Sequence, residues 1–534
     1  MNGRIGPIQN LRATARRFFV GLGLLVCVGT VQGRVVTVTV ISTTDMHGSI
    51  RRTPGVYADH NEGSLLQCAT LIRGIREENP HSILVDCGDF AQGTAESYMT
   101  RGGIMTRAMN ALNYDAVAIG NHEFDWGVPV LSEMLGELSA PPLAANLIAG
   151  PDAPAAFHRV LPFVVKEVDG LRVAIVGLTT PNIPNWSRDV ETYDLQISDS
   201  RRALERTLPR VRAERPHLMI LLVHQGLMAA DDDANEVNGI CRRFGEFDLV
   251  LGGHLHWVLP GARVGKVDYV QSGSGASGVM RTDLIFDTVE NAVVDKKFEF
   301  VAVTLDTPED PELAALVAPD LKKADKWLHT VLGKTTEELS YSLAGNGFCP
   351  AQQLLCNAIA ETTGAEVVLH GVLSDQSIPA GPIHVSDIWR IVPYENTVGT
   401  LWLTLAEIRS ILDESAEYFG SDRYFGAWGL QYEMYPNARA GKRIRNLRAA
   451  DGSPINGKRR MKVALNSYHL AGGGGRFPTL VKATRSSNAR LDLLTVTTRD
   501  MVMDYVKKHR TLTIPAGTNA VVFRSEPPRW QRRK

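Results

Sequence analysis

The sequence predicts a layered α/β sandwich followed by a second, smaller α/β domain. Three observations lead there. Short apolar runs suited to strands buried on both faces alternate with stretches of helical periodicity. A proline-marked helical segment then interrupts the alternation. Beyond it a separate set of strand and helix signals begins. At 534 residues the chain is too long for one core, which agrees with division into domains.

The elements follow in order. Val36, Val38 and Val40 alternate with Thr37 and Thr39, the period of a strand. Ser82–Val85, Ala116–Ile119, Val173–Val176, Leu218–Val223 and Phe247–Leu251 are short apolar runs that read as buried strands. Between them, Leu65–Glu77, Ile104–Leu112 and Arg201–Leu208 carry helical spacing. These elements assign residues 34–305 to the first domain. Pro308, Pro311 and Pro319 open a linker helix over residues 306–334, with Leu313, Val317, Leu321, Ala324 and Leu328 on one stripe and Gly333 as its stop. The second domain, 335–525, offers a helix at Gln352–Glu361 and a strand at Glu366–His370. It also has a capping box at Thr404-Leu405-Ala406-Glu407 and a strand at Met461–Leu465 leading into Gly472–Gly475.

Composition narrows the partners. Apolar residues are 44%, charged residues 22% and the formal net charge is −1. That balance gives no electrostatic basis for binding a nucleic-acid polymer or a membrane surface. The basic end, Arg529–Lys534, reads as a tail. Residues 1–33 read as a signal peptide: Arg12, Arg16 and Arg17 precede the apolar stretch Phe18–Val31, too short to span a bilayer, with cleavage near Gly33. Arg16-Arg17-Phe18-Phe19 also resembles a twin-arginine signal; an ordinary signal with two adjacent arginines is the alternative. Either places the protein in the periplasm or outside the cell, with no membrane span after signal removal. Of six cysteines, Cys27 leaves with the signal. The remaining five are an odd number without CxxC pairing, so free buried thiols are expected rather than a disulfide framework or thiolate zinc site.

Five polar clusters carry the chemistry: Asp45-x-His47, Gly88-Asp89, Gly120-Asn121-His122-Glu123-Phe124-Asp125, His224, and Gly252-Gly253-His254-Leu255-His256. Each follows an apolar run, so ligands at the ends of parallel strands converge on one edge of the sheet. Two divalent ions side by side need N/O ligands and a carboxylate to bridge them. Asp45, His47 and His256 are assigned to one ion, Asn121, His224 and His254 to the other, and Asp89 to the bridge. Asn121 adds a neutral oxygen, which limits negative charge where an anionic phosphate binds. The absence of thiolate leaves Zn, Mn, Fe or Co. Singly, each residue has a plain alternative as a cap, turn or hydrogen-bonded histidine; seven in one chain order do not.

The order D-x-H, GD, GNHEFD, H, GHxH resembles the calcineurin-type metallophosphoesterases. Thr44-Asp45-Met46-His47-Gly48, Gly120–Gly127 and Met109-Asn110-Ala111-Leu112 are similar to the 5′-nucleotidase family, which pairs this domain with a C-terminal substrate domain. The resemblance spans about Val35 to Ala483. It implies that His122 stabilises the transferring phosphoryl group and assists the leaving oxygen, with Asp125 orienting it. It implies hydrolysis of a small phosphoester, a nucleotide first of all, by a hydroxide held between two ions and attacking phosphorus in line.

In the second domain, Ile378–Ile383 and Ile391–Asn396 fit the family's "IPAGPI" and "PFxN" segments. Tyr424 and Phe477 fall where two rings stack on a base, and Asn466 stands with them as a substrate-binding residue. The family's "NGGIR" aligns with His370–Ser374 and lacks its arginine, and Gly472–Phe477 replaces "GGDGF" without its aspartate. A guanidinium grips phosphate by two parallel hydrogen bonds, and nothing of equal geometry replaces it. Three alternatives therefore stand beside a nucleotidase: a cyclic-nucleotide phosphodiesterase, a hydrolase of non-nucleotide esters including sulfur esters, and a non-catalytic binding protein on this fold.

Overall fold

The computed structural model describes residues 34–53, 63–187, 189–342, 348–421, 423–514 and 521–523. The expected signal at 1–33 and the tail at Arg529–Lys534 lie outside the described residues. Mixed α/β architecture runs through both halves of the chain.

Two six-stranded sheets build the first half. One runs in the order Ala292–Ala302, Gly278–Asp287, Val35–Thr43, Ser82–Asp86, Ala116–Ala118, Pro142–Leu143. The other runs Val258–Val264, Val267–Ser272, Leu249–Gly252, Leu218–Val223, Leu171–Leu178, Phe163–Val168. They pack face to face, because Val36, Val38 and Val40 share a core with Val173, Ile175, Leu218, Ile220 and Leu222. Helices cover the outer faces: Leu65–Glu78, Gly103–Ala111 and Val128–Glu137 on the first sheet, Ser200–Ala213 and Val237–Arg243 on the second. Both faces of each central strand are thus covered, which is why the runs are almost wholly apolar. The strands 35–43, 82–86 and 116–118 are parallel to one another, as are 171–178, 218–223 and 249–252. Their C-terminal ends carry the polar clusters.

Helix Pro311–Leu328 is capped by Asp310, whose carboxylate accepts from Leu313 N at 2.8 Å. Leu313 and Val317 belong to the first core and Leu328 to a second, so the helix braces two cores at once. Ion pairs Arg73–Asp310, Arg107–Asp320 and Arg51–Asp325 fasten it. The expectation that Gly333 stops this helix is corrected. The helix stops at Leu328, and Gly333 lies in strand Val331–Thr335, at a register shift against Gly381–His384. A Cβ there would sit 2.8 Å from Arg510 O, so glycine serves close approach of the backbone rather than helix termination.

The second half centres on a five-stranded sheet in the order Gly426–Trp428, Val367–His370, Arg460–Asn466, Thr397–Thr404, Asp492–Thr497. Helices Pro350–Thr363 and Thr498–His509 pack against each other on it. The Thr404–Glu407 capping box is formed in both directions, at 2.7 and 3.3 Å. All five cysteines of the described residues are free and buried. Among the described residues no helix is long and apolar enough to cross a membrane.

Candidate metal centre and active site

The first two loops run side by side. Asp45 N donates to Gly88 O at 2.8 Å, His47 N to Asp89 O at 2.9 Å and Gly48 N to Phe90 O at 2.9 Å. This continues the parallel pairing of strands 35–43 and 82–86 past their ends and sets Asp45, His47 and Asp89 on one rim. The loops are bent sharply. Asp45, His47, Asp89, His254 and His256 all have left-handed backbone, with φ of 48°, 48°, 57°, 72° and 60°. Such conformations cost about 1–3 kcal/mol each for non-glycine residues and cluster where surrounding structure imposes them for function. Gly88, at φ 97°, allows close approach: a Cβ there would meet Gly120 N at 2.6 Å and His224 Nδ1 at 2.9 Å.

Two groups of donor atoms form, Asp45–His47–His256 and Asp89–His224–His254, the atoms within each lying within 4.8 Å of one another. His47 Nδ1 lies 3.0 Å from the Gln92 carbonyl and His224 Nδ1 lies 2.8 Å from the Cys87 carbonyl. A carbonyl only accepts, so each Nδ1 carries a proton and each Nε2 faces inward, able to give a lone pair once it is deprotonated. His47 Nε2 is 3.1 Å from His256 Nε2. His224 Nε2 is 2.9 Å from Asp89 Oδ2 and 3.2 Å from Asn121 Oδ1. Asp89 Oδ2 is buried, with His224 as its ion-pair partner. Acceptors that converge this closely repel unless a cation or a proton lies between them. The residues present therefore fit divalent cations.

Protons compete for those places. Burial works against a charged His224, but Asp89 first, then Asp45 and Glu123, lift its pKa to about 9. Burial raises the Asp45 carboxyl to about 7, His224 opposing and Asp89 adding to it. Asp89 itself is held well below the usual carboxylate range, because His224, His122 and His47 overcome its burial. Burial, reinforced by the positive fields of His224, His122 and His256, drops His254 to about 3 and keeps it neutral. A cation must displace the protons of His224 and Asp45. Metal uptake is thus expected to release protons and to tighten as pH rises from about 5 to about 9. Calorimetric titration in buffers of different ionisation heat measures this; uptake without proton release would contradict it.

His122 stands beside the cluster, its ring centroid 5.2 Å from that of His47. Its backbone N donates to Asp89 Oδ1 at 2.8 Å, and its Nδ1 lies 2.7 Å from Asp125 Oδ2. Burial disfavours its positive charge, but Asp125 and Asp89 prevail and raise it to about 10. Trp186 lies against His254, ring centroids 5.6 Å apart, and walls one side.

Two residues organise the loops without having drawn attention in the sequence. Glu123 is buried and accepts from Asp89 N at 2.9 Å, Gly120 N at 2.8 Å and Ala91 N at 3.2 Å. Asp86 accepts from Thr43 Oγ1 at 2.6 Å and Gly88 N at 2.8 Å. Glu123 sits inside the GNHEFD word, where a buried carboxylate three residues past Gly120 was the available signal. A third is Glu395, whose carboxyl burial pushes up to about 7, Arg499 opposing and Asp125 adding. Only its position in the folded chain reveals it.

A calcineurin-like phosphoesterase family matches residues 38–258, and the 5′-nucleotidase C-terminal domain family matches 331–482. The chain belongs to the 5′-nucleotidase family. It is a metallophosphoesterase-class hydrolase. A trifunctional nucleotide phosphoesterase protein of Bacillus subtilis is 25% identical over 91% of this chain, which spans 39% of that relative's length. A 5′-nucleotidase of Bos taurus is 26% identical over 82% of this chain and 83% of its own. The crystal structure of a 5′-nucleotidase precursor from Thermus thermophilus superposes with a TM-score of 0.67 at 21% identity, covering 92% of this chain and all of that one, and shows the shared fold.

The substrate side of the second domain departs from expectation. Tyr424 (4% exposed) and Phe477 (0%) lie in the hydrophobic core with Phe425 and Leu465. Neither ring presents a face to a base, which corrects their reading as a stacking pair. Their apolar area is already buried in packing. Asn466 is buried as well. Its Oδ1 caps the short helix Ser467–Leu470 by accepting from His469 N at 2.9 Å. Its Nδ2, His370 Nε2 and Gln352 Oε1 have no hydrogen-bond partner among the described residues. Arg476 is spread across Tyr418, Tyr468 and Phe477 and donates to Gly473 O at 2.6 Å. Tyr394, next to Glu395, is 41% exposed, as Tyr341 and Tyr468 are at 42% and 46%.

Proposed function

We propose that this chain is an exported hydrolase of small phosphoesters, nucleotides foremost, working with two divalent ions drawn from Zn, Mn, Fe and Co. The observation that carries the reading is the convergence of ligand-type atoms: His224 Nε2 with Asp89 Oδ2 and Asn121 Oδ1, and His47 Nε2 with His256 Nε2. Asp45, His47 and His256 would hold one ion, Asn121, His224 and His254 the other, and Asp89 both. Bound there, the ions polarise the phosphoryl group and lower the pKa of water at neutral pH.

The chain's own residues supply the rest. Asp125 holds the Nδ1 proton of His122, which leaves Nε2 to donate a proton to the departing ester oxygen. The neutral His254 and Asn121 keep the site's negative charge low enough to admit a phosphate. Glu123 ties the Gly88–Ala91 loop to Gly120, so ligands from two strands keep one spacing. Tyr394 is the proposed ring for a nucleobase, and Asn466 Nδ2 is proposed to donate to a polar substrate group reaching the strand ends. Export by the 1–33 signal, in ordinary or twin-arginine form, would place the reaction in the periplasm or outside the cell.

The test is a substrate screen. Nucleoside monophosphates, diphosphates and cyclic phosphates are compared with non-nucleotide phosphate and sulfur esters, each with Mn, Zn and Co. Nucleotides are expected to give the largest kcat/KM. No turnover of any phosphoester by protein carrying two metals would end the reading. Preference for sulfur esters would follow from the absent arginine at Ser374.

A further inference from the structure

The two domains meet at the residue after Asp125. Trp126 donates its indole N–H to Glu395 Oε2 in the second domain, a contact between residues 269 positions apart. The other oxygen, Glu395 Oε1, accepts from Arg499 at 3.0 Å, and both side chains of this ion pair are fully buried. Arg499 Nε donates to Val392 O at 3.0 Å, and its guanidinium lies 3.3 Å from the centroid of the Trp389 ring. The neighbouring Asp500 accepts from Tyr98 of the first domain at 2.7 Å, and the Tyr98 ring stacks on Trp327 at the end of the bracing helix.

Net stability is a weak reason for this arrangement. A buried ion pair loses in desolvation about what it gains by attraction, and well-packed apolar residues of similar volume often do as well or better. Arg499 Nη2 even lacks a partner among the described residues. What a buried pair does supply is a fixed direction. With Arg499 holding one oxygen, Glu395 points the other at Trp126, and the turn His122–Trp126 is tied to the second domain.

We propose that Glu395 is a positioning residue for acid catalysis: fixed by Arg499, it holds Trp126 and through it the Asp125 carboxylate that orients His122, so proton delivery depends on the second domain being docked. The proposal rests on the hydrolase reading above. Geometry at a reacting group tolerates little misplacement, and the first domain alone leaves the Trp126 N–H without this acceptor.

Trp126→Phe tests it, because it removes the indole N–H, keeps an aromatic ring and substitutes neither Glu395 nor Arg499. With a nucleoside monophosphate, kcat is expected to fall roughly tenfold while KM stays within about twofold, the pattern of a contact that matters only in the transition state. With an activated aryl phosphate, whose leaving oxygen needs no proton, the loss is expected to be about fivefold smaller or less. Glu395→Gln and the double variant complete a cycle, in which the two losses should not add. A lowered melting temperature with unchanged kcat on both esters would mark Trp126 as purely structural and overturn the proposal. Equal losses on both esters would also overturn it. If the parent protein turns over neither ester, the hydrolase reading itself falls, and the two failures are distinct.

Discussion

Asp89→Asn is expected to lower kcat/KM by ~10⁴-fold while the fold persists, the scale of removing one member of a catalytic unit. The reasoning is local. Asparagine keeps the shape and keeps Oδ1 for the His122 backbone N–H, held at 2.8 Å. It replaces the oxygen 2.9 Å from His224 Nε2 with an amide nitrogen, which has no lone pair to give a cation. The negative charge that balances His224, His122 and His47 is lost as well. Metal content is expected to drop below two ions per chain by elemental analysis. Full metal content with unchanged turnover would show that Asp89 bridges nothing.

His122→Asn is expected to cost about 10²- to 10⁴-fold in kcat on nucleoside monophosphates, the usual worth of a positioned acid. On an activated aryl phosphate the loss should be small. The sign with pH follows from the geometry. His122 delivers a proton only while charged, and Asp125 and Asp89 hold its pKa up to about 10. Parent activity on poor leaving groups should therefore fall on the alkaline side, with bound cations moving that limb below about 10. The variant should lack the limb. An alkaline limb retained in His122→Asn would assign the proton to another group.

Much of the candidate site was legible in the sequence because its donors sit at strand ends. Strands are short, apolar and locally encoded, and parallel packing sends their C-terminal ends to one edge. Asp45, His47, Asp89, Asn121, His224, His254 and His256 could be gathered on that logic without coordinates. Helix Pro311–Leu328 was equally readable, since its stripe repeats at helical spacing. The boundary after it was not: Gly333 looks like a helix stop in one dimension, and only the close passage of Arg510 shows it to be a strand residue.

By itself, the chain of residues pointed to the hydrolase class, the mixed α/β fold and a candidate donor set, because ligand chemistry and hydrophobic period are properties of short segments. Tertiary structure alone decided which aromatic rings face solvent, that Glu123 ties three backbone N–H groups together, and that Glu395 and Arg499 reach Trp126. Those facts depend on how sheets stack and on which distant loops meet. Burial of Tyr424 and Phe477 is set by neighbours far along the chain, and no local pattern carries it.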